Sequence, residues 1–166
     1  MPRRFAVEAA SPVPVPAVLG AFGDPRYWED RFAEFGGGLE LTALDVDDAG
    51  TIAVRTLQDV RREAMPPLVA RLYPRELRVI ATEHWVPRGG AADGTITVTV
   101  QGAPGAGTAT ARLGATDAGS LLRIAGEVRV RVPVLGGPVE RLVAKGFAAH
   151  VPELQRFTDD WITAHA

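Results

Sequence analysis

Cysteine is missing from this 166-residue chain. Its absence excludes disulfides, thiolate metal sites and thiol nucleophiles. Histidine is scarce, with three residues, His84, His150 and His165, and no metal-ligand spacing among them. Also missing is any apolar run near the roughly 18 residues that a membrane span needs. The opening MPRRFAVEAASPVPVP starts basic but holds no apolar stretch of signal-peptide length. An excess of one charge is lacking too. Eighteen Lys and Arg face 20 Asp and Glu, for a formal net charge of −2, so neither nucleic acid nor an anionic membrane is globally attracted. A soluble cytoplasmic protein is the expectation, with no nucleic-acid partner and at most transient membrane contact.

Several chemical motifs are absent as well. The glycine-rich stretches GGG at 36–38 and GAPGAGTAT at 102–110 lack the Lys-Ser/Thr of a P-loop and do not open helices. The acidic cluster Asp45, Asp47 and Asp48 lacks the loop length and closing Glu of a calcium site, and it reads as a solvated hairpin end. There is no nucleophile elbow. No metal and no cofactor is implied.

What is present is ordinary globular material, 46% hydrophobic and 23% charged. The length suits one domain, residues 1–166, that buries on the order of 70% of its unfolded surface. Phe5, Val7 and Ala9 alternate with Arg4, Ala6 and Glu8, which predicts a strand. Two short helices follow. Ser11 is a candidate cap for the first, Asp24-Pro25 caps and starts the second, and Gly36 to Gly38 end it. From Leu39 to Val132 most segments alternate with period two, as in GTITVTVQG and SLLRIAGEVRVRV. Such alternation predicts an antiparallel sheet with one wet and one dry face. The Ala-rich GTATARLGAT leaves space within that sheet and disfavours a filled core. One segment interrupts the strands. Met65 to Tyr73, bounded by Pro66-Pro67 and Pro74, reads as a short amphipathic helix covering the sheet rim as a lid, with Leu68 and Leu72 at the mouth of whatever lies beneath.

The last segment is a long helix opening at Gly136-Gly137-Pro138. At about 100° per residue, Val139, Val143, Phe147, Leu154, Phe157 and Trp161 share one face, and His150 falls near its centre. Glu140, Arg141, Lys145, Gln155, Arg156, Asp159 and Asp160 fall outside it. Pro152 removes a backbone hydrogen bond and crowds the carbonyl of Ala148, so a kink is expected there.

The element order, the opening FAVEAASPVPVPAVLGAFGDPRYW and the closing VPELQRFTDDW resemble the START-related, Bet v 1-like helix-grip superfamily, also called SRPBCC. Within it the chain is most similar to a small uncharacterised actinobacterial family, over nearly its full length. The superfamily opens with a strand, Ser-Pro and an apolar helix, then Asp and Trp. Phe5, Ser11-Pro12, Asp24 and Trp28 match that pattern. The resemblance implies an α+β helix-grip fold, a curved antiparallel sheet wrapped around the long C-terminal helix with an apolar cavity between them. Members include lipid carriers, hormone receptors, polyketide cyclases and ubiquinone-binding proteins, so fold alone leaves the role open.

Binding of a hydrophobic small molecule or lipid is the leading expectation. Its lining is read as Trp85, Val98, Phe147, His150, Leu154 and Phe157, with Leu68 and Leu72 at the mouth. His150 is the placed polar group, or else it satisfies a carbonyl freed by Pro152. In TEHWVP, two registers are open. One turns Glu83 and Trp85 inward, which indole burial favours; the other turns His84 inward. Were the protein an enzyme of the cyclase or dehydratase type, His150 and Glu83 would be its acid–base pair. A scaffold without ligand is the third reading. Arg61, Arg62, Arg71, Arg75 and Arg78 form either a solvated face or a basic collar at the cavity mouth.

Overall fold

Strand alternation and the turns between runs build one antiparallel sheet, and the first strand lies beside the last. The computed structural model describes residues 2–36, 38–60, 65, 67–73 and 75–166. The chain runs β1 (Arg3–Ser11), α1 (Val15–Phe22), α2 (Pro25–Phe35), β2 (Leu39–Val46), β3 (Ile52–Val60), α3 (Pro67–Leu72), β4 (Leu77–Arg88), β5 (Ala91–Gln101), β6 (Gly105–Thr116), β7 (Gly119–Val130) and α4 (Gly136–Ala164). The sheet order is β1-β7-β6-β5-β4-β3-β2, with every pair antiparallel. β1 and β2 are therefore opposite edges, and the chain between them must cross the sheet. α1 and α2 make that crossing and close one end. The sheet is curved and holds α4, a rod of 29 residues and roughly 43 Å at 1.5 Å per residue.

The register in β4 turns Trp85 inward. Its indole is 2% exposed, Glu83 stands on the same face, and His84 is exposed. Trp85 sits opposite Gly94 on β5. A Cβ at Gly94 would lie 2.8 Å from Cζ3 of that indole, so the ring lies across a position where a side chain would displace it. A second close approach starts α4, where a Cβ at Gly136 would meet the carbonyl oxygen of Val130 at 2.5 Å.

Two expectations about α1 and α4 are corrected. Ser11 does not cap α1, whose N-cap is Pro14. Instead its Oγ accepts the Val13 N–H at 3.0 Å and donates to Asp159 on α4. On α4, the buried residues include Ala144, Val151, Gln155 and Thr158, each one position beyond the expected Val143, His150, Leu154 and Phe157. Val139 and Trp161 are buried as the wheel predicts. The helix is thus turned by about 100° over most of its length. Glu140, expected in water, is 4% exposed, and its Oε1 accepts the Val130 N–H at 2.8 Å.

Asp24 caps α2, its side chain accepting the Arg26 N–H at 2.9 Å. The Arg26 side chain, hydrogen-bonded to the same carboxylate, holds the Asp24 carboxyl below its ordinary range. A depressed folded pKa means the charge-dependent stabilisation is complete above the unfolded pKa and lost as pH falls through the folded one. Asp24→Ala should therefore lower stability by about 1 kcal/mol at neutral pH. Urea titrations of both proteins should show that difference narrowing in acid. A difference independent of pH would show that the carboxylate charge adds nothing to this cap.

Candidate functional site

Among the described residues, two cavities lie between α4 and the sheet. α4 packs chiefly on β1 and β7, leaving a gap over the strands further along the curve. The larger cavity, about 350 Å³, is enclosed by the aromatic end of α1 and α2, the inner faces of β3, β4 and β5, and α4 from Phe147 to Thr158. The smaller, about 200 Å³, lies toward the start of α4, between Phe5, Val98, Val128, Val139 and Phe147, and the surface that the described residues expose to it is apolar. Ile96, Val98 and Phe147 wall both.

Hydrogen bonds explain why α4 presents this face. Ser11 on β1 donates to Asp159, which also accepts from Gln155 Nε2 at 3.0 Å. Thr158 Oγ1 donates to the Leu154 carbonyl at 2.8 Å, so the Tyr27 hydroxyl, 2.6 Å away, donates to Thr158. Trp161 Nε1 donates to Asp30 on α2 at 2.8 Å. Together with the bond from the Val130 N–H of β7 to Glu140, these set the rotation of α4. Burying the polar groups unpaired would cost more than leaving part of the apolar face open. The helix therefore buries its polar-flecked flank and turns Phe147, His150 and Leu154 over the larger cavity, only half-buried. The periodicity of apolar residues alone carries no signal for this.

The expected lining is brought together in large part. Trp85, Val98, Phe147, His150 and Leu154 line the larger cavity, as does Glu83. Phe157 does not line it. Its ring packs 5.5 Å from Phe35 and 6.0 Å from Tyr27, behind the wall, because α4 is turned past it. Leu68 and Leu72 do not line either cavity. α3 begins at Pro67, and Val69 and Tyr73, four residues apart, are the pair that faces the smaller one. No residue of α3 from Pro67 to Leu72 is buried. Of the arginines, Arg78 donates to Asp59 at 3.0 Å, Arg71 and Arg75 are exposed, and Arg61 and Arg62 lie outside the described residues, as do Pro66 and Pro74. The smaller cavity is a feature that sequence reasoning missed. Its signal is the inward column Gly105, Gly107 and Ala109 on β6, which is too small to fill the space beneath α4.

His150 sits at the cavity edge and not deep within it. Its side chain is 41% exposed, and Nδ1 lies 3.3 Å from Glu153 Oε2. Its ring meets Phe35 edge-on at 5.1 Å. It makes no hydrogen bond to the Ala148 carbonyl among the described residues. Glu83 Oε2 accepts the Trp85 indole N–H at 3.0 Å. Both groups border the same cavity, but neither is bonded to the other. His84 points away from the cavity and His165 stacks on Trp161 at 4.0 Å.

This chain belongs to the family described as Protein of unknown function (DUF2505), whose model matches residues 6–162. It is 36% identical over 173 residues to an uncharacterised protein of Mycobacterium tuberculosis, covering 98% of each chain. A crystal structure of a protein from Thermus thermophilus superposes with a TM-score of 0.63 over 99% of both chains, at 14% identity. A START superfamily protein from Mycobacterium smegmatis matches with a TM-score of 0.51 over 99% of both chains, at 13% identity. The Bet v 1 allergen Ara h 8.0201 matches with a TM-score of 0.53 over 99% of both chains, at 12% identity. The fold is START/Bet v 1-like.

The exposed position of His150 gives a direct test of its structural weight. His150→Phe preserves the edge-on contact with Phe35 and removes only a solvent-facing pairing with Glu153. Stability should change by no more than about 0.5 kcal/mol, the scale of an exposed pair. Thermal melts of the two proteins check this; a loss of several degrees would mean the imidazole anchors the helix.

Proposed function

We propose that this DUF2505 member binds a hydrophobic small molecule or lipid between α4 and the curved sheet, and can carry it through the cytoplasm. One observation bears most of the weight. The most apolar face of α4 is left half-covered over a cavity, while a more polar flank of the same helix is buried. Apolar surface facing an empty space forgoes roughly 25 cal/mol for each Å² that a ligand would cover. Residual space on that face therefore favours any occupant of matching shape. Pockets that take small molecules are concave, largely apolar and furnished with a few polar groups, which describes the larger cavity. The enzymatic reading has less support, because Glu83 and His150 are each engaged with a different neighbour.

Leu154 offers the test, since it lines the larger cavity while its carbonyl serves Thr158. Leu154→Trp should fill the space and abolish uptake of an uncharged apolar dye such as Nile red, with little change in melting temperature. Were the core already filled, the added volume would instead cost about 1–3 kcal/mol. Absence of dye uptake by the parent protein, together with such a loss, would favour a scaffold and overturn the binding function.

A further inference from the structure

The two cavities differ in chemistry and share a wall. Among the described residues, the surface exposed to the smaller is apolar although Tyr73, Thr108 and Glu127 border it, whereas the larger exposes polar surface and has Glu83 as the acidic residue of its lining. Glu83 has apolar neighbours across both adjacent strands, Val54 on β3 and Ile96 on β5. The only hydrogen bond of its carboxylate among the described residues is the one from Trp85 to Oε2. The guanidinium bordering the same cavity, that of Arg31, lies over the Trp28 ring at 4.8 Å and makes no ion pair with Glu83 among the described residues. An inward carboxylate between two apolar neighbours is costly unless its remaining acceptor capacity is used. Water can use it while the cavity is open. A ligand that displaces this water must supply a donor in its place.

We infer that the ligand is an amphiphile whose head is a hydrogen-bond donor, a hydroxyl or an amine, seated on Glu83, and whose apolar chain passes Phe147 into the smaller cavity. This rests on the binding function proposed above and specifies its ligand class. A carboxylate-headed amphiphile, such as a fatty acid, would set like charge against Glu83 and is disfavoured. Phe147 stands at the junction, its ring 5.0 Å from that of Phe5, so the chain must pass between it and the shared sheet residues Ile96 and Val98. Beyond them the column of small residues on β6 provides the room. Gly107 belongs to this column, and a Cβ there would meet nothing closer than 3.7 Å. A Cβ therefore fits at Gly107, and a longer side chain there would take up volume of the smaller cavity, which Gly107 lines.

The test displaces Nile red from the full chain with dodecanol, dodecylamine and dodecanoate, which share a chain and differ in head. Dodecanol and dodecylamine should displace the dye at concentrations about tenfold below dodecanoate, the scale of one hydrogen bond to a charged group. Comparing these two identifies which donor is preferred. In Glu83→Gln the gap between dodecanol and dodecanoate should close. In Gly107→Leu, hexanol should displace as in the parent while dodecanol weakens about tenfold, the effect of roughly two methylenes losing their burial. Dodecanoate equal to dodecanol in the parent, or a gap unchanged in Glu83→Gln, overturns the donor head. Undiminished dodecanol affinity in Gly107→Leu overturns the tail site. Dye that binds but yields to none of the three overturns the ligand class and leaves the binding function standing. A parent protein that takes up no dye removes that function itself.

Discussion

The rotation of α4 about its own axis is the constraint on which the cavity depends. A long helix over a curved sheet could roll to bury its most apolar face, and apolar burial alone would drive it there. Ser11 and Asp159, Tyr27 and Thr158, Asp30 and Trp161, and Val130 and Glu140 prevent that roll. They tie the helix to β1, α2 and β7 at both ends and along one flank. With the rotation held, the greasy face stands off the sheet. The cavity is then a consequence of directional bonds overruling a non-directional force.

The sheet contributes the other half of the space through what its inner face omits. Along β6 the inward positions run Gly105, Gly107, Ala109 and Ala111 before reaching Leu113, which is fully buried. The strand is thus packed at one end and hollow at the other. A filled core would place branched side chains at those positions to reach native packing density. At the opposite end, the aromatic cluster of Phe22, Tyr27, Trp28 and Trp85 closes the cavity with rings in mutual contact. Rings wall the larger cavity there, and small residues on β6 leave the room of the smaller.

The sheet's alternation, the Asp24 cap and the long closing helix are legible in the sequence because each depends on local periodicity or local turn chemistry. The inward turn of Trp85 is favoured by the burial of its indole, but alternation alone leaves the opposite register of that strand open. What escapes is rotational and tertiary. A helical wheel weighs hydrophobicity and cannot know that Ser11, far away in sequence, awaits Asp159. The wheel therefore puts Phe157 in the lining and Gln155 in water, and it sets His150 too deep. Leu68 and Leu72 are misplaced for a smaller version of the same reason. In a helix of six residues the inward pair depends on where the first turn begins.

Glu83 connects these threads. Register brings it inward with Trp85, and the indole N–H satisfies one of its oxygens. Nothing in strand packing calls for a carboxylate between Val54 and Ile96, where a branched apolar residue would fill the same place at no desolvation cost. The same holds for the hollow end of β6, where larger residues would raise packing density. Each departure weakens the isolated core. The two lie on the walls of neighbouring cavities that share Ile96, Val98 and Phe147. Departures from the rules of core packing are expected where a structure serves a purpose other than its own stability. A polar group in one cavity and missing volume in the other complement a molecule with a polar head and an apolar tail.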